Sequence, residues 1–593
     1  MNNSVAAEYR DLIKEVYIDP IRTVVVIDDE FPSLDGLIAK ELKDDGAWNG
    51  KSDDANTVKE ILQFCRQKEK PWLVDVHDGK KIPFKKDEII APYLIHSDLM
   101  ILDFHLADDG EKAIKILKKL AGNNHFNMVI VYTHGDQTGG DIDTIVRDIA
   151  LGLTYRDAKL HLSDEETEKI RSQLTMWEEE DEEIFNRLSS EITEQTYLSY
   201  RSQLENGCKE LLGQPEGLKI IELFKKRPKA IKLQPLNILQ WLLCEKEKAI
   251  QARLSNVDLG HVSIAPPGSN INWIRTDSLF VTVVNKQYQP KELPEKLLDA
   301  LNEWCPQPHR LLMSQMRFLM DDRGVIAESE VLGNRYIQVG WLKELIESKS
   351  QAQNHVINNT ITRHWEALGD ELRKDIDGFA YRLVSHLTSQ NAEEVLEKHS
   401  KINVQTKSKE IAKHINWYNS TKPIDGFHLT PGHILELDVN AEKEYWICLS
   451  PACDLVPGQK TSGLIGRVKD SMPFTAVQLT KIGDQKAIDD VNHNIYLFLK
   501  IEDDICTFTF HPSGYLHANP IWEQMIAEKN GIFEIEGKEL QIWRPGVYSK
   551  KRITMKKHPS RVVAQLQYEY ALNLLQRLGA TMSRVGLDFS KPN

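Results

Sequence analysis

Thr23-Val24-Val25-Val26-Ile27 is an unbroken β-branched run that stops at Asp28-Asp29-Glu30. An apolar run without polar alternation suits a strand covered on both faces, as in a parallel sheet. Two more runs repeat the pattern: Leu99-Met100-Ile101-Leu102 ends at Asp103, and Met128-Val129-Ile130-Val131-Tyr132 ends at Thr133. Helical spacing falls between them, at Leu34–Leu42 and across Ala113, Ile114, Ile116, Leu117 and Leu120. Strands alternating with helices imply right-handed crossovers and a doubly wound, flavodoxin-like α/β domain.

In such a sheet, ligands bind beyond the carboxyl ends of the strands, where the strand order reverses. Asp28, Asp29, Asp103 and Thr133 all follow strand ends, so they are expected in one crevice. One acidic residue there would be ordinary loop chemistry, but several in the same register ask for a reason. Clustered carboxylates repel one another unless a hard divalent cation joins them, and Mg²⁺ takes oxygen ligands. A carboxylate so held can accept a phosphoryl group, because the cation offsets charge on the transferring oxygens.

The segments Val24–Glu30, Asp98–Asp103 and Val129–Gly135 together resemble the receiver domain of two-component response regulators. The resemblance implies that Asp103 is the phosphoacceptor and Thr133 the switch hydroxyl. It also implies that Asp28, Asp29, Asp103 and the backbone of His105 hold Mg²⁺, and that a histidine-kinase-like protein is the partner. Asp109-Gly110 is similar to the turn that follows the phosphoacceptor in that family. The family also carries a lysine after the strand beyond Thr133. Neither Arg147 nor Lys159 has the right context, and the sequence identifies no such lysine. The long gap from Asp29 to Asp103 points to an insertion near Trp48–Lys86, with a turn at His77-Asp78-Gly79-Lys80.

At 593 residues the chain exceeds a single hydrophobic core. Its texture divides it into a receiver-like domain at 1–150, a helical region at 151–255, a mixed α/β and helical middle at 256–415, and a β-rich, barrel-like domain at 416–593. The helical region holds the acidic run Glu178–Glu183. Within the middle, Ser278–Val284 reads as a strand, and Pro294–Trp304 and Arg310–Met320 as helices. A helix at Val562–Leu578 is expected to close the last domain. There, Gly432-His433-Ile434, Ser450–Leu455, Tyr568–Ala571 and Ser583–Gly586 loosely resemble an uncharacterised bacterial module found beside receiver domains. In the same domain, Cys453-Asp454 could present a thiol to His511, His517 or His558. A small buried hydrophobe beside a turn-forming aspartate explains that pair more simply. Lys460 and Arg584 are candidate anion contacts, with surface ion pairs the simpler use.

Composition narrows the function. With 41% hydrophobic and 27% charged residues the chain reads as globular. A net charge of −14 argues against broad nucleic-acid binding, despite the basic stretches Lys550-Lys551-Arg552 and Lys556-Lys557-His558. The opening residues lack a signal-peptide core, and no uncharged apolar stretch nears the ~18–20 residues needed to span a bilayer, so a cytoplasmic location without membrane contact is expected. The seven cysteines form no Cys-x-x-Cys pair, which supports neither a disulfide framework nor a structural zinc site. The expected function is bacterial signalling, in which the receiver pocket controls an effector region, by analogy in stress or antiviral defence. Two alternatives are a non-phosphorylated pseudo-receiver scaffold and an effector enzyme with its active site in the carboxy-terminal half. Self-association stays open.

Overall fold

The apolar runs of the first 135 residues become neighbouring strands of one parallel sheet in the computed structural model. The structure describes residues 2–43, 47–67, 71–79, 96–106, 110–135, 142–154, 162–203, 212–213, 215–253, 262–266, 269–348, 351–400, 402–440, 442–457, 470–512, 519–534, 536–547 and 553–583. Lys80, Asp109, Lys159, Lys460, His517, Lys550–Arg552 and Arg584, all named above, lie outside these residues. The chain divides into two units, 1–318 and 319–593.

In the first unit, helix α1 (Asn2–Tyr17) precedes strand β1 (Thr23–Ile27), followed by α2 (Leu34–Leu42), α3 (Ser52–Arg66), β2 (Leu73–His77) and β3 (Leu99–Leu102). Next come α4 (Glu111–Ala121), β4 (Asn127–Thr133) and α5 (Asp143–Leu153). Among the described residues five helices then intervene: α6 (Asp164–Glu180), α7 (Glu182–Ser190), α8 (Glu194–Gln203), α9 (Pro215–Phe224) and α10 (Pro235–Arg253). Short strands β5 (Ser263–Ile264) and β6 (Ile274–Arg275) lead into β7 (Leu279–Asn285), and then into α11 (Leu293–Trp304) and α12 (Pro308–Leu332).

The sheet order is β2-β1-β3-β4-β7-β6-β5, and the first five strands are parallel. With β7 in fifth place this is the flavodoxin-like order 2-1-3-4-5, whose reversal falls between β1 and β3. All seven residues of β4 and all four of β3 are buried, which explains their continuous hydrophobicity. Ile170, Trp177, Tyr197 and Ile238 of the intervening helices share one apolar core with Val25, Met100 and Val129 of the sheet. The helices between β4 and β7 are therefore packed into the same unit as the sheet.

The second unit takes in α12 from Leu319 and continues with α13 (Arg335–Glu347), α14 (Gln351–Thr388), α15 (Ala392–Ser400) and α16 (Ser408–Ser420). It continues with β8 (Thr421–Lys422), β9 (His433–Val439), β10 (Glu442–Cys448), β11 (Ser471–Lys481), α17 (Asp484–Asp489), β12 (Tyr496–Ile501) and β13 (Asp504–Thr509). The last elements are β14 (Trp522–Glu528), β15 (Glu539–Val547), β16 (Ile553–Leu566) and α18 (Tyr568–Met582). Strands β10-β9-β16-β15-β14-β11 pair in sequence, and β11 pairs back onto β10, closing a six-stranded barrel. Strand β8 and the β12–β13 hairpin are additions to it. One side chain in two points inward. Leu435, Leu437, Trp446, Cys448, Phe474 and Met525 fill one core, while Ile434, Ile447 and Val477 join another with the hairpin and α18.

The expected closing helix needs a correction. Residues 562–566 finish β16, with Val562 opposite Leu435 and Ala564 opposite Ile434, and the helix starts at Tyr568. A short apolar run reads equally as helix or strand, and here the partner strand decides it.

Candidate functional site

The register of β1 on β3 places Ile27 opposite Leu102, so the next residues, Asp28 and Asp103, emerge side by side. The Asp103 backbone N–H donates to Ile27 O at 2.8 Å, which extends the pairing to the site. Asp28 is 2% exposed and Asp103 6%. Asp29 is half-buried. One carboxylate oxygen from each of the three lies within 4.8 Å of the others. Local donors orient the carboxylates: the Glu30 N–H reaches Asp28 Oδ1 at 3.0 Å, and the His105 N–H reaches Asp103 Oδ2 at 3.2 Å. His105 also anchors its ring to Gly135 O at 2.8 Å, tying the loop after β3 to the loop after β4.

Thr133 ends β4 fully buried, and its Oγ accepts from the Gly135 N–H at 3.4 Å. Its carbonyl accepts from the backbone N–H of Lys286, the first residue after β7, at 2.7 Å. The Lys286 ammonium lies 2.9 Å from Asp28 Oδ2 and 3.1 Å from Asp103 Oδ1, and its side chain is only 9% exposed. Of the residues expected from strand-terminal position, the structure brings the three acids together and ties Thr133 to Lys286 through its backbone carbonyl. It adds a lysine that sequence reasoning missed. Arg147, considered for that place, instead lies 3.8 Å from Glu194. The usable signal was Ser278–Val284, a β-branched strand ending at a lysine, but it lies about 145 residues beyond Thr133.

Charge explains the tuning of the pair. Burial pushes the Asp103 carboxyl above its ordinary value; Lys286 pulls it back, and Asp28 adds to the rise. Burial works against the Lys286 ammonium too, but attraction to Asp28 and then Asp103 outweighs it and raises its pKa. Among the described residues, a cluster of three carboxylates thus holds one ammonium, paired with Asp28 and Asp103. The surplus negative charge, the all-oxygen donor set and the separations within 4.8 Å fit a hard divalent cation such as Mg²⁺. Asp28, Asp29 and Asp103 are the side chains that would hold it.

Phe104, next to Asp103, packs closely on Gly110. Gly110 adopts φ +84°, and a Cβ there would come within 2.2 Å of the Phe104 ring. Only glycine meets both conditions.

The thiol candidate lacks partners of this kind. Cys453 is exposed on a short turn, and its Sγ contacts Asp454 at 3.5 Å. His511 is buried and its backbone bonds Thr509, whereas the His558 ring reaches Asp438 O at 3.2 Å. Among the described residues no contact joins Cys453 to either histidine.

Residues 20–174 match the family model described as a response receiver domain. The match runs from β1 through α5 and most of α6, and stops short of β7 and Lys286. No curated protein and no solved structure matches the chain.

Proposed function

With a receiver domain at residues 20–174 as the premise, we propose that Asp103 accepts a phosphoryl group from a histidine-kinase-like partner and that Lys286 completes the site. An Asp103 carboxylate oxygen attacks the phosphorus of the partner's phosphohistidine. The P–N bond breaks, its electron pair returns to the imidazole, and an acyl phosphate forms on Asp103. Mg²⁺ held by Asp28, Asp29, Asp103 and the His105 backbone would supply charge neutralisation for the phosphoryl oxygens. Lys286 exchanges a carboxylate contact for a phosphoryl oxygen, and the Thr133 hydroxyl turns to donate to another.

The observation that carries this reading is the Lys286 ammonium, within 3.1 Å of both buried acids. In a docking scaffold this ammonium would only neutralise two buried carboxylates, whereas in phosphoryl capture it also meets the phosphoryl oxygens. The position of Lys286 in the chain suggests the output. The Thr133 carbonyl and the Lys286 N–H are bonded, yet α6–α10 lie between them in sequence and share the sheet's core. Rearrangement of Thr133 and Lys286 would bias how those helices pack, as a population shift. A groove of about 460 Å³ is lined by Pro32, Leu37, Val58 and Leu62 together with Lys59 and Arg66, and Leu34 and Leu42 of α2 are also exposed. This is a suitable surface for a partner's helix. No described helix is long and apolar enough to cross a membrane. A cytoplasmic role in stress or antiviral defence remains an analogy with other receiver–effector chains that lack a DNA-binding motif.

Thermal unfolding with beryllofluoride and Mg²⁺ tests the assignment in wild type and Asp103→Asn. Stabilisation that requires Mg²⁺, beryllofluoride and Asp103 together is expected. No shift in either protein refutes phosphoacceptance and makes the pseudo-receiver scaffold the better account.

A further inference from the structure

Helix α13 has no buried residue at all. Its sequence, Arg335-Tyr-Ile-Gln-Val-Gly-Trp-Leu-Lys-Glu-Leu-Ile-Glu347, carries apolar side chains around its whole circumference, and Tyr336 is 90% exposed. A helix apolar on all sides is ordinarily buried. α13 folds back on α14: Gln353 Nε2 donates to Leu345 O at 3.4 Å, and the Trp341 and His364 rings lie 6.4 Å apart. α14 carries one apolar stripe, Ile357, Ile361, Trp365, Leu368, Leu372, Phe379 and Leu383, at the spacing of threes and fours that marks a helix-packing seam. Leu372, Phe379 and Leu383 of this stripe are buried, but Ile361 is 59% and Trp365 60% exposed. The seam is therefore covered over its second half and open over its first.

We propose that this open face pairs with the same face of a second copy of the chain, so that two α13–α14 hairpins close a four-helix bundle. A two-helix hairpin presents half of such a bundle, and a two-fold axis supplies the other half from an identical surface. Area supports a dimer. Tyr336, Val339, Ile346, Ile361 and Trp365 are each at least 59% exposed, a run of large apolar side chains along two helices that suits the ~800 Å² per partner of a standard stable interface. Charge argues against a lipid surface as the occupant. Residues 335–388 contain seven basic and seven acidic side chains, with no basic face to meet anionic headgroups. The pairing is independent of the phosphoryl chemistry and is expected with or without beryllofluoride.

Light scattering during gel filtration of the full chain, at roughly 1–100 μM, tests this across the affinity range of specific protein pairs. The expected mass is twice the 68.0 kDa of the chain. The double variant Ile361→Asp/Trp365→Asp should weaken dimerisation roughly 100-fold or more, because it removes central apolar anchors. Tyr336→Asp/Ile346→Asp should do the same from the other helix, and Trp365→Phe should leave the dimer intact. All four aspartate sites are exposed, so circular dichroism and melting temperature should stay those of a folded monomer. A monomeric wild type overturns the proposal, as does a dimer that survives both double variants. A wild-type monomer that sediments with anionic phospholipid vesicles would overturn it in favour of a lipid surface.

Discussion

Replacing Lys286 with methionine removes the one ammonium that, among the described residues, faces Asp28 and Asp103, while keeping most of its apolar stem. At an effective dielectric of about 20, contacts at 2.9 and 3.1 Å each correspond to roughly 5 kcal/mol of attraction, before the desolvation that burial exacts from all three groups. Breaking buried pairs of this kind costs about 3–5 kcal/mol, because the remaining charges are left uncompensated. For a large unit, that corresponds to a fall in melting temperature of roughly 6–15 °C. Mg²⁺ should partly rescue the variant. In the wild type a dication competes with Lys286 for the Asp28 carboxylate, but in Lys286→Met it meets two unpaired acids. Millimolar Mg²⁺ should therefore raise the variant's melting temperature by more degrees than it raises that of the wild type, through preferential binding to the folded state. Differential scanning calorimetry at neutral pH, with Mg²⁺ or with EDTA, measures both effects. A loss below about 1 kcal/mol in EDTA would show that the pair contributes no more than a surface contact and would refute the reasoning. Equal Mg²⁺ responses would refute the competition.

Gly110→Ala should destabilise the first unit by roughly 2–4 kcal/mol, combining a left-handed backbone with overpacking against Phe104, and should blunt the beryllofluoride response of Asp103. An alanine variant that melts with the wild type would show that the loop relaxes freely. His433, buried in the barrel with its Nδ1 accepting from the Thr430 N–H at 3.1 Å, has its pKa lowered by burial to about 4. A base with a depressed folded pKa contributes stability that is present above its unfolded value of about 6.5 and is lost as pH falls towards 4, here roughly 3 kcal/mol in all. Melting curves from pH 7 to 4 should accordingly fall less steeply for His433→Gln than for the wild type, and parallel slopes would refute the assignment.

Much of the site was legible in the chain because it is built by local rules. Each apolar run had to be a covered strand, each strand had to end, and Asp28, Asp29, Asp103 and Thr133 are what stand at the ends. The alternation of strand and helix also carried the doubly wound order, and the short strands after residue 416 carried the β-rich character of the second unit. Lys286 was beyond that reach. Parallel neighbours share no turn, so nothing near Thr133 announces that Leu279–Asn285 lies beside it, and the long helical excursion between them leaves no local trace of the pairing. The end of the barrel's last strand was equally hidden. Val562 and Ala564 read as the start of a helix until β9, about 130 residues earlier, supplies their hydrogen-bond partners. Sequence periodicity decides which face of an element is apolar. Which strand or helix meets that face is decided by tertiary packing, because the burial that fixes the partner is gained only when distant segments come together.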